Sequence, residues 1–173
     1  MAESLAVHAQ TTPAAAKLRS RMINPFLLRG FMLAKLPLAL AAGLRVRELD
    51  GDRCVVTVPY GWRTRNPFRS TYFAALSMAA EMSTGAPSMM AVELASSPVA
   101  LLIVNLEATF SKKATGLTAF TCEDGAKAFA AVAETLRTGE PATARLESVG
   151  RSQDGTEVAR FVLTWSFKKR SKG

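Results

Sequence analysis

The segment 66–85 reads NPFRSTYFAALSMAAEMSTG and predicts a helix built almost wholly from small and apolar residues. Glu81 is its only charged residue after Arg69, and no other acidic residue occurs between Asp52 and Glu93. A carboxylate among apolar side chains is costly unless it is hydrogen-bonded, neutralised or used in chemistry. The segment therefore indicates a core helix that carries one structural or functional carboxylate.

One stripe of the predicted helix is small and polar, and its other faces are apolar, when the residues are placed 3.6 to a turn. The polar stripe consists of Ser70, Ala74, Ser77, Glu81 and Thr84. Ser70 or Thr71 can cap the start of the helix, and Gly85 followed by Pro87 predicts its end. The alanines on the other faces allow close approach, so we expect this helix to pack against a sheet.

The whole chain has 173 residues, which suits one domain with a full hydrophobic core. We expect an N-terminal tail and helices at 1–36, with disorder over 1–12, then a single domain at 37–168 and a basic tail at 169–173. The apolar run 26–44 is interrupted by charged residues and a proline, so no membrane span is predicted.

The N-terminus lacks a basic segment that leads into an apolar core, which argues against a secretory signal. Cys54 and Cys122 lie in strand-like runs, without CxxC spacing or nearby histidines. Buried, reduced thiols are the expected state of such cysteines. Together these features predict a cytoplasmic protein.

The formal net charge of +8 raises the question of nucleic-acid binding. Two basic clusters are expected to lie at solvated ends of the chain: Lys17, Arg19 and Arg21, and Lys168, Lys169, Arg170 and Lys172. The clusters inside the domain are Arg63, Arg65 and Arg69, and the pair Lys112 and Lys113. No recognisable nucleic-acid motif accompanies them, so we expect no nucleic-acid partner.

Several further elements surround the predicted helix. Before it, the sequence predicts a helix at 13–23, a helix that Asn24 and Pro25 start and Pro37 ends, and a hairpin of strands 44–49 and 53–58 with Asp50 and Gly51 in its turn. After it, the sequence predicts strands at 104–111 and 117–122, a helix that Asp124 caps and Gly139 ends, and paired strands at 142–149 and 157–167.

The first strand after the central helix alternates apolar and polar residues, which predicts that it is half-buried. Its apolar face consists of Val104, Leu106, Ala108 and Phe110. About six antiparallel strands wrapped round one buried helix make an α+β domain. An open face or edge strand of such a sheet often pairs with a second subunit.

The order of these elements resembles the hotdog fold of acyl-CoA thioesterases. The most specific part of the resemblance is YFAALSMAAE, from Tyr72 to Glu81. In the phenylacetyl-CoA thioesterase type, the helix opens with a His-Gly-Gly sequence and carries an acidic residue nine positions after the His. Here Tyr72 stands in place of the His, Phe73 and Ala74 replace the glycines, and Glu81 takes the acidic position. Asn66 resembles the loop asparagine of such enzymes, and the chain is most similar to an uncharacterised thioesterase-like branch.

The resemblance implies hydrolysis of a coenzyme A thioester, with no separate cofactor and no metal. Glu81 would act as general base on water, or as nucleophile, while the N–H of Phe73 or Ala74 holds the oxyanion. Asn66 would orient water or the carbonyl. Substrate contacts are expected from Tyr72, Ser77, Thr84, Arg63, Arg65 and Arg69, with the arginines, Lys112 and Lys113 available to phosphates. The only histidine is His8, so histidine-dependent catalysis is not expected.

Other interpretations remain open for the same residues. Glu81 could be a structural carboxylate bonded to Ser77, Thr84 or a partner subunit, and Asn66 before Pro67 suits a turn without catalysis. Tyr72 could serve packing, and the basic clusters could be solvated loops. The protein could also be a non-catalytic hotdog module that holds a fatty-acyl or other apolar ligand, or an interaction protein that uses its basic face. In each case we expect a homodimer or a dimer of dimers.

Overall fold

The computed structural model describes residues 12–170 of the chain. The helices are α1 (Pro13–Ile23), α2 (Pro25–Lys35), α3 (Pro37–Ala42), α4 (Phe73–Glu93) and α5 (Gly125–Thr138). The strands are β1 (Arg45–Leu49), β2 (Cys54–Val58), β3 (Val99–Phe110), β4 (Thr118–Cys122), β5 (Ala142–Ser152) and β6 (Glu157–Lys169). The predictions for residues 1–11, His8 among them, and for 171–173 lie outside this range.

The described strands form one antiparallel sheet in the order β1-β2-β4-β5-β6-β3. β1 and β3 therefore occupy opposite edges. The long helix α4 packs against this sheet, and α5 packs beside it on β5 and β6. This is the predicted α+β architecture, a six-stranded antiparallel sheet with one central helix and extra helices before it.

β6 lies in the interior of the sheet, as its length and alternation predict. Its alternate residues Ala159, Phe161, Leu163, Trp165 and Phe167 are buried. Phe161 packs edge-on against Phe120 of β4, with ring centroids 5.7 Å apart. The core of the domain is thus built between this face of the sheet and α4.

The central helix begins later than the sequence predicts. The segment before Phe73 is a loop because Asn66 Oδ1 accepts hydrogen bonds from the backbone N–H groups of Phe68 and Ser70, at 3.0 and 3.2 Å. Tyr72 occupies the N-cap position, and its side chain makes no capping hydrogen bond. The predicted cap by Ser70 or Thr71 is therefore wrong, and Ser70 does not lie on the helix.

The same helix also ends later than predicted. It continues through Gly85 and Pro87 and ends at Glu93. A proline inside a helix removes one backbone hydrogen bond. Pro87 is itself buried, and the next turn buries Met90 and Ala91 in the core. This tertiary packing outweighs the local stop signal.

The N-terminal helices follow the sequence signals closely. Asn24 Oδ1 accepts hydrogen bonds from the backbone N–H groups of Phe26 and Leu27, at 2.9 and 3.2 Å, and Pro25 is the first residue of α2. α1 packs against β1, at the edge of the sheet opposite β3. Within the described residues, no helix is long and apolar enough to cross a membrane.

β3 departs from the predicted half-buried strand. Residues 104–110 are exposed on both faces, with Leu106 46% and Phe110 48% exposed. The alternation correctly predicts a strand, but this strand lies at the sheet edge and residues 104–110 are left uncovered. Its apolar face is therefore left without a covering layer in the single chain.

Two smaller predictions concern Asp124 and the cysteines. Asp124 stands at the N-cap of α5 but makes no capping bond, because its carboxylate accepts the backbone N–H of Glu147 at 2.8 Å and pairs with Lys127. Cys54 and Cys122 are free and buried, which confirms the prediction of buried thiols. They are register partners on β2 and β4.

Candidate functional site

The start of α4 presents unsatisfied backbone donors. The first intrahelical bonds are donated by Ala75 and Leu76 to the carbonyl of Tyr72. The N–H groups of Phe73 and Ala74 have no acceptor among residues 12–170. Free N–H groups at a helix N-terminus, together with the helix dipole, favour a negative charge. The predicted oxyanion donors are thus present as unpaired groups.

Aromatic side chains stand beside these donors. Tyr72 and Phe73 are 48% and 56% exposed, and their rings meet edge-on with centroids 4.9 Å apart. Phe73 stands at one of the two positions where the thioesterases of the resemblance have glycine, and Tyr72 stands at the position of their histidine. The donors therefore lie beside an exposed apolar surface.

The loop before α4 is held by its own hydrogen bonds. The Asn66 side chain donates to Ser70 Oγ at 3.1 Å and accepts from the backbone of Phe68 and Ser70. These contacts support the turn interpretation of Asn66, and its catalytic role stays a prediction. Arg69 adopts φ 58°, a left-handed conformation that few non-glycine residues hold without surrounding support.

The two basic clusters inside the domain come together at this loop. Lys113 Nζ donates to the carbonyl of Phe68 at 3.3 Å, and the backbone N–H of Thr71 donates to the carbonyl of Ala114 at 2.7 Å. The segments that carry them are thereby joined: Arg63, Arg65 and Arg69 on one side, and Lys112 and Lys113 on the other. All five side chains are exposed.

Glu81 lies two turns further along α4 and is only partly exposed. Its carboxylate has no hydrogen-bond or ion-pair partner within residues 12–170. Burial alone raises the pKa of Glu81, since no neighbouring charge acts on it. An added Cβ at Gly85 would lie 3.2 Å from Glu81 Oε1 and 3.3 Å from the Trp165 ring. The carboxylate therefore sits near its own helix backbone, next to Trp165.

The hydroxyls that could have satisfied Glu81 are bonded elsewhere. Ser77 Oγ donates to the carbonyl of Phe73 at 2.9 Å. Thr84 Oγ1 donates to the backbone carbonyl of Glu81 at 3.0 Å and accepts from Trp165 Nε1 at 3.1 Å. The interpretation of Glu81 as a carboxylate bonded to Ser77 or Thr84 is therefore wrong. Thr84 is also fully buried, which favours a structural role for it over substrate contact.

The carboxylate and the backbone donors cannot act on one carbonyl within a single chain. Phe73 and Glu81 are eight positions apart, so the rise of the helix places them about 12 Å apart along its axis. A base and an oxyanion donor must both lie about 3 Å from the reacting group. A complete site would need a second copy of one of these two elements.

Two surface cavities lie away from Glu81 and from the start of α4. One, of about 370 Å³, is lined by Lys112, Lys113, Thr115, Gly116, Ser152, Gln153, Asp154, Thr156 and Val158. The other, of about 630 Å³, lies between α5 and β5. Neither includes Glu81. Among the described residues, no group of three or more His, Cys, Asp or Glu side chains is placed to hold a metal ion.

Sequence analysis did not identify three aromatic residues near this region. Trp62 and Phe68 are 80% and 73% exposed within the arginine-rich loop, and Trp165 lies beside Glu81. The sequence shows each of the two loop aromatics directly before an arginine, Arg63 and Arg69, although no interleaving of aromatic and basic residues was predicted. The placement of Trp165 was not, because it depends on how β6 packs against α4.

Comparison with solved structures identifies the fold. A protein of unknown function and probable thioesterase from Pseudomonas aeruginosa has a TM-score of 0.69 at 20% identity, covering 87% of this chain and 99% of that one. A Haemophilus influenzae thioesterase has a TM-score of 0.59 at 13% identity, covering 80% and 87%. The E. coli PaaI protein from the phenylacetic acid degradation operon has a TM-score of 0.59 at 14% identity, covering 90% and 97%. The predicted hotdog fold is confirmed.

Sequence comparison gives a complementary result. Residues 26–167 match a family known as a domain of unknown function, DUF4442. A search of the curated proteins found no match. The match to DUF4442 covers the central helix, the loop that carries Arg63, Arg65 and Arg69, strands β1 to β5 and all but the last two residues of β6.

Proposed function

The chain belongs to the DUF4442 family, and we propose that it is a thioesterase-like hydrolase of acyl-CoA that works as a homodimer or dimer of dimers. The observation that carries this proposal is the unpaired, partly buried carboxylate of Glu81 on the central helix. Desolvation raises the pKa of this carboxylate, and a carboxylate whose pKa is perturbed in this way is a candidate functional group. The presence of thioesterases among the hotdog neighbours supports the same chemistry.

We assign the role of general base, or less directly of nucleophile, to Glu81. The raised pKa of Glu81 brings the carboxylate closer to the basicity that proton abstraction from water requires near neutral pH. Hydrolysis should therefore increase as the pH rises through this pKa, since only the ionised form can accept the proton. Thioester hydrolysis then needs an oxyanion site, for which the free N–H groups of Phe73 and Ala74 are suited.

The two elements would meet across a dimer. β3 offers a twelve-residue edge that pairs with β6 on one side only within the described sheet, and it exposes Leu102, Val104, Leu106 and Phe110. Such an edge is suited to pairing with a second chain. Glu81 lies near it, because Trp165 beside Glu81 is the register partner of Ile103 on β3. We propose that Glu81 of one copy faces the helix start of the other.

The basic loop suits the coenzyme A part of the substrate. Arg63, Arg65, Arg69, Lys112 and Lys113 are five exposed cations on two joined segments. Phosphates are bound well by such clusters, and arginine can bind them in a bidentate manner. Tyr72 lies at the N-cap of α4 and Ser77 lies on its first turns, both within reach of an acyl chain that enters beside Phe73. We assign Asn66 the task of holding this loop.

We also propose a cytoplasmic location and a reaction that needs no cofactor beyond the coenzyme A of the substrate. The free, buried thiols of Cys54 and Cys122 agree with a reducing compartment. Hydrolysis by a carboxylate with backbone donors involves no redox step.

A non-catalytic acyl-binding module is the second candidate. The observation that favours it is the pair of aromatic side chains at the helix start, since Phe73 replaces one of the glycines that leave the donors accessible and Tyr72 lies beside it. Loss of one oxyanion donor typically costs about 10²- to 10³-fold in rate. Restricted access there would leave a protein that binds acyl groups without turnover.

The test is hydrolysis of a panel of acyl-CoA esters by the full-length protein and by Glu81→Gln. We expect turnover above background that falls by about 10²- to 10⁴-fold in the variant. Glu93→Gln is the matched control, because it makes the same change at an exposed position on the same helix. Turnover that Glu81→Gln leaves unchanged would refute the role of Glu81. Acyl-CoA binding without turnover in either protein would support the module.

A further inference from the structure

The outward face of α2 is apolar, although this helix lies on the surface. Phe26 is 81% exposed, Leu27 51% and Leu33 69%, and Leu38 at the start of α3 is 74% exposed. A surface helix normally turns polar residues outward. Large apolar patches of this kind mark sites that interact with a partner or a membrane.

These side chains form one continuous surface. At 100° per residue, Phe26, Gly30 and Leu33 fall on one stripe, and Leu27 and Ala34 lie directly beside it. All five residues are exposed. Leu28 and Met32, on the opposite side of the helix, are buried against the domain. α2 thus has two apolar faces, of which the fold covers one.

The charge of this region is uniformly positive. Residues 12–47 contain seven cations and no acidic residue, which accounts for +7 of the net charge of +8. The cations are Lys17, Arg19, Arg21, Arg29, Lys35, Arg45 and Arg47, and all are exposed. None of them takes part in the side-chain ion pairs found within residues 12–170, which involve only cations of the sheet, α5 and their connections.

We propose that α2 and the start of α3 dock this protein onto the surface of an anionic phospholipid bilayer. An interfacial helix inserts its apolar face among the acyl chains while flanking lysines and arginines bind anionic headgroups. Phe26, Leu27, Leu33 and Leu38 provide the apolar face, and headgroup contacts come from Arg29, which lies beside this face on α2, and from the exposed cations of α1. The helices lie on the membrane and do not cross it.

A second copy of the chain fits this face less well. In a two-fold interface the same patch faces itself, so a copy would bring seven further cations against these seven and no acidic residue of residues 12–47 to pair with them. The edge suited to dimerisation is β3, whereas α1 packs at the opposite edge, on β1. Membrane docking is therefore independent of the proposed dimer and of Glu81.

The test is co-sedimentation of the full-length protein with vesicles. Vesicles of equimolar phosphatidylcholine and phosphatidylglycerol should bind the protein, and phosphatidylcholine alone should bind it weakly. Phe26→Ser with Leu33→Ser should reduce the affinity by more than about tenfold. Each of Arg21→Ser and Arg29→Ser should reduce it by about fivefold, and added salt should weaken binding to the anionic vesicles.

Matched controls lie elsewhere on the surface. Phe68→Ser removes an equally exposed phenylalanine, and Arg137→Ser removes an exposed cation of α5. Both should bind vesicles as the unmodified protein does. Hydrolysis of a short, water-soluble acyl-CoA by the Phe26 and Leu33 variant should be unchanged, which separates this proposal from the proposed function.

Several results would overturn the proposal. Absence of binding to anionic vesicles, or equal binding to neutral ones, would remove it. Equal losses in Phe68→Ser would show that the effect does not belong to α2. A change in sedimentation coefficient of the Phe26 and Leu33 variant without lipid would show that a second copy covers this face instead.

Discussion

The buried hydroxyls in the second half of α4 are hydrogen-bonded, whereas several polar groups in the first half have no partner among the described residues. In the second half, Ser83, Thr84 and Ser88 are fully buried, and each hydroxyl is hydrogen-bonded. Ser83 Oγ and Ser148 Oγ of β5 lie 2.7 Å apart. In the first half, the N–H groups of Phe73 and Ala74 and the carboxylate of Glu81 have no partner among the described residues.

This difference separates groups that hold the fold from groups left free for another molecule. A buried polar group without a partner costs about 1–3 kcal/mol, so native structures satisfy nearly all of them. The second half of α4 obeys this rule and anchors the helix to β5 and β6. The first half does not break it, because the Glu81 carboxylate keeps some access to solvent and the N–H groups of Phe73 and Ala74 are ones that any helix N-terminus leaves unpaired. These are the positions expected for catalysis. Four substitutions test whether the distinction is real.

The largest expected effect comes from removing the second copy. Leu106→Lys places a cation on the exposed edge strand, where lysine disfavours strand pairing. Since Glu81 and the donors of one chain lie about 12 Å apart, the resulting monomer should lose about 10²-fold or more of the hydrolysis. Sedimentation velocity and an acyl-CoA assay measure the two outcomes on the same preparation.

Thr143→Lys is the matched control, because it places the same cation at an exposed position of the interior strand β5 and should leave both properties unchanged. A monomeric Leu106→Lys protein with full activity would show that one chain suffices. Dimerisation would then not explain why the polar groups in the first half of α4 have no partner.

The next effect concerns the second half of α4, in which the buried hydroxyls are hydrogen-bonded. Thr84→Val removes the acceptor of Trp165 Nε1, a buried indole N–H. The free energy of unfolding should fall by about 1–3 kcal/mol, because the indole donor is left unpaired in the core. Chemical denaturation measures the change. In a Trp165→Phe background the same substitution should cost clearly less, since no donor then remains.

The sequence predicted the central helix, but not its bounds, for a definite reason. Gly85 and Pro87 are local stop signals, whereas the burial of Met90 and Ala91 that overrides them is a tertiary contact. At the other end, small polar residues suggested a cap, while Asn66 instead forms a turn with Ser70. Local sequence patterns predict the bounds of a helix correctly only when tertiary packing favours the same bounds.

The strands and the site show the same limit. Alternation identified β3 and β6 equally well, yet β6 is covered and β3 is open, because coverage depends on position in the sheet. Glu81 could be found from its isolation in an apolar segment. Its neighbour Trp165 could not, since the two residues are far apart in the chain. The spacing from Phe73 to Glu81, by contrast, was readable from the sequence.

The unpaired carboxylate of Glu81 should lower the stability of the protein at neutral pH. Burial raises the pKa of Glu81, so the folded state binds the proton more tightly than the unfolded state. The stability linked to this proton is present in acid and is lost as the pH rises through the raised pKa. Glu81→Gln stays neutral, so it should be more stable than the unmodified protein at neutral pH and should lose that advantage in acid.

Thermal unfolding across this pH range measures the effect. Glu93→Gln provides the control, because it makes the same change at an exposed position. If Glu81→Gln is instead less stable at neutral pH, the carboxylate has a stabilising partner in solution. Glu81 would then resemble the polar groups in the second half of α4, which are hydrogen-bonded and stabilise the fold.

The smallest effect on stability is expected at the helix start. Phe73 is 56% exposed and its ring packs edge-on against Tyr72, so Phe73→Ala should change the free energy of unfolding by no more than about 0.5 kcal/mol. The backbone N–H is unaffected by this change, while the space in front of it widens. If the side chain restricts access, kcat/KM for bulky acyl-CoA esters should rise several-fold. A fall in kcat/KM, carried by a higher KM, would mean that Phe73 packs on the acyl group. Either change with unaltered stability would assign the first half of α4 to ligand contact, whereas a large loss of stability would return Phe73 to the fold.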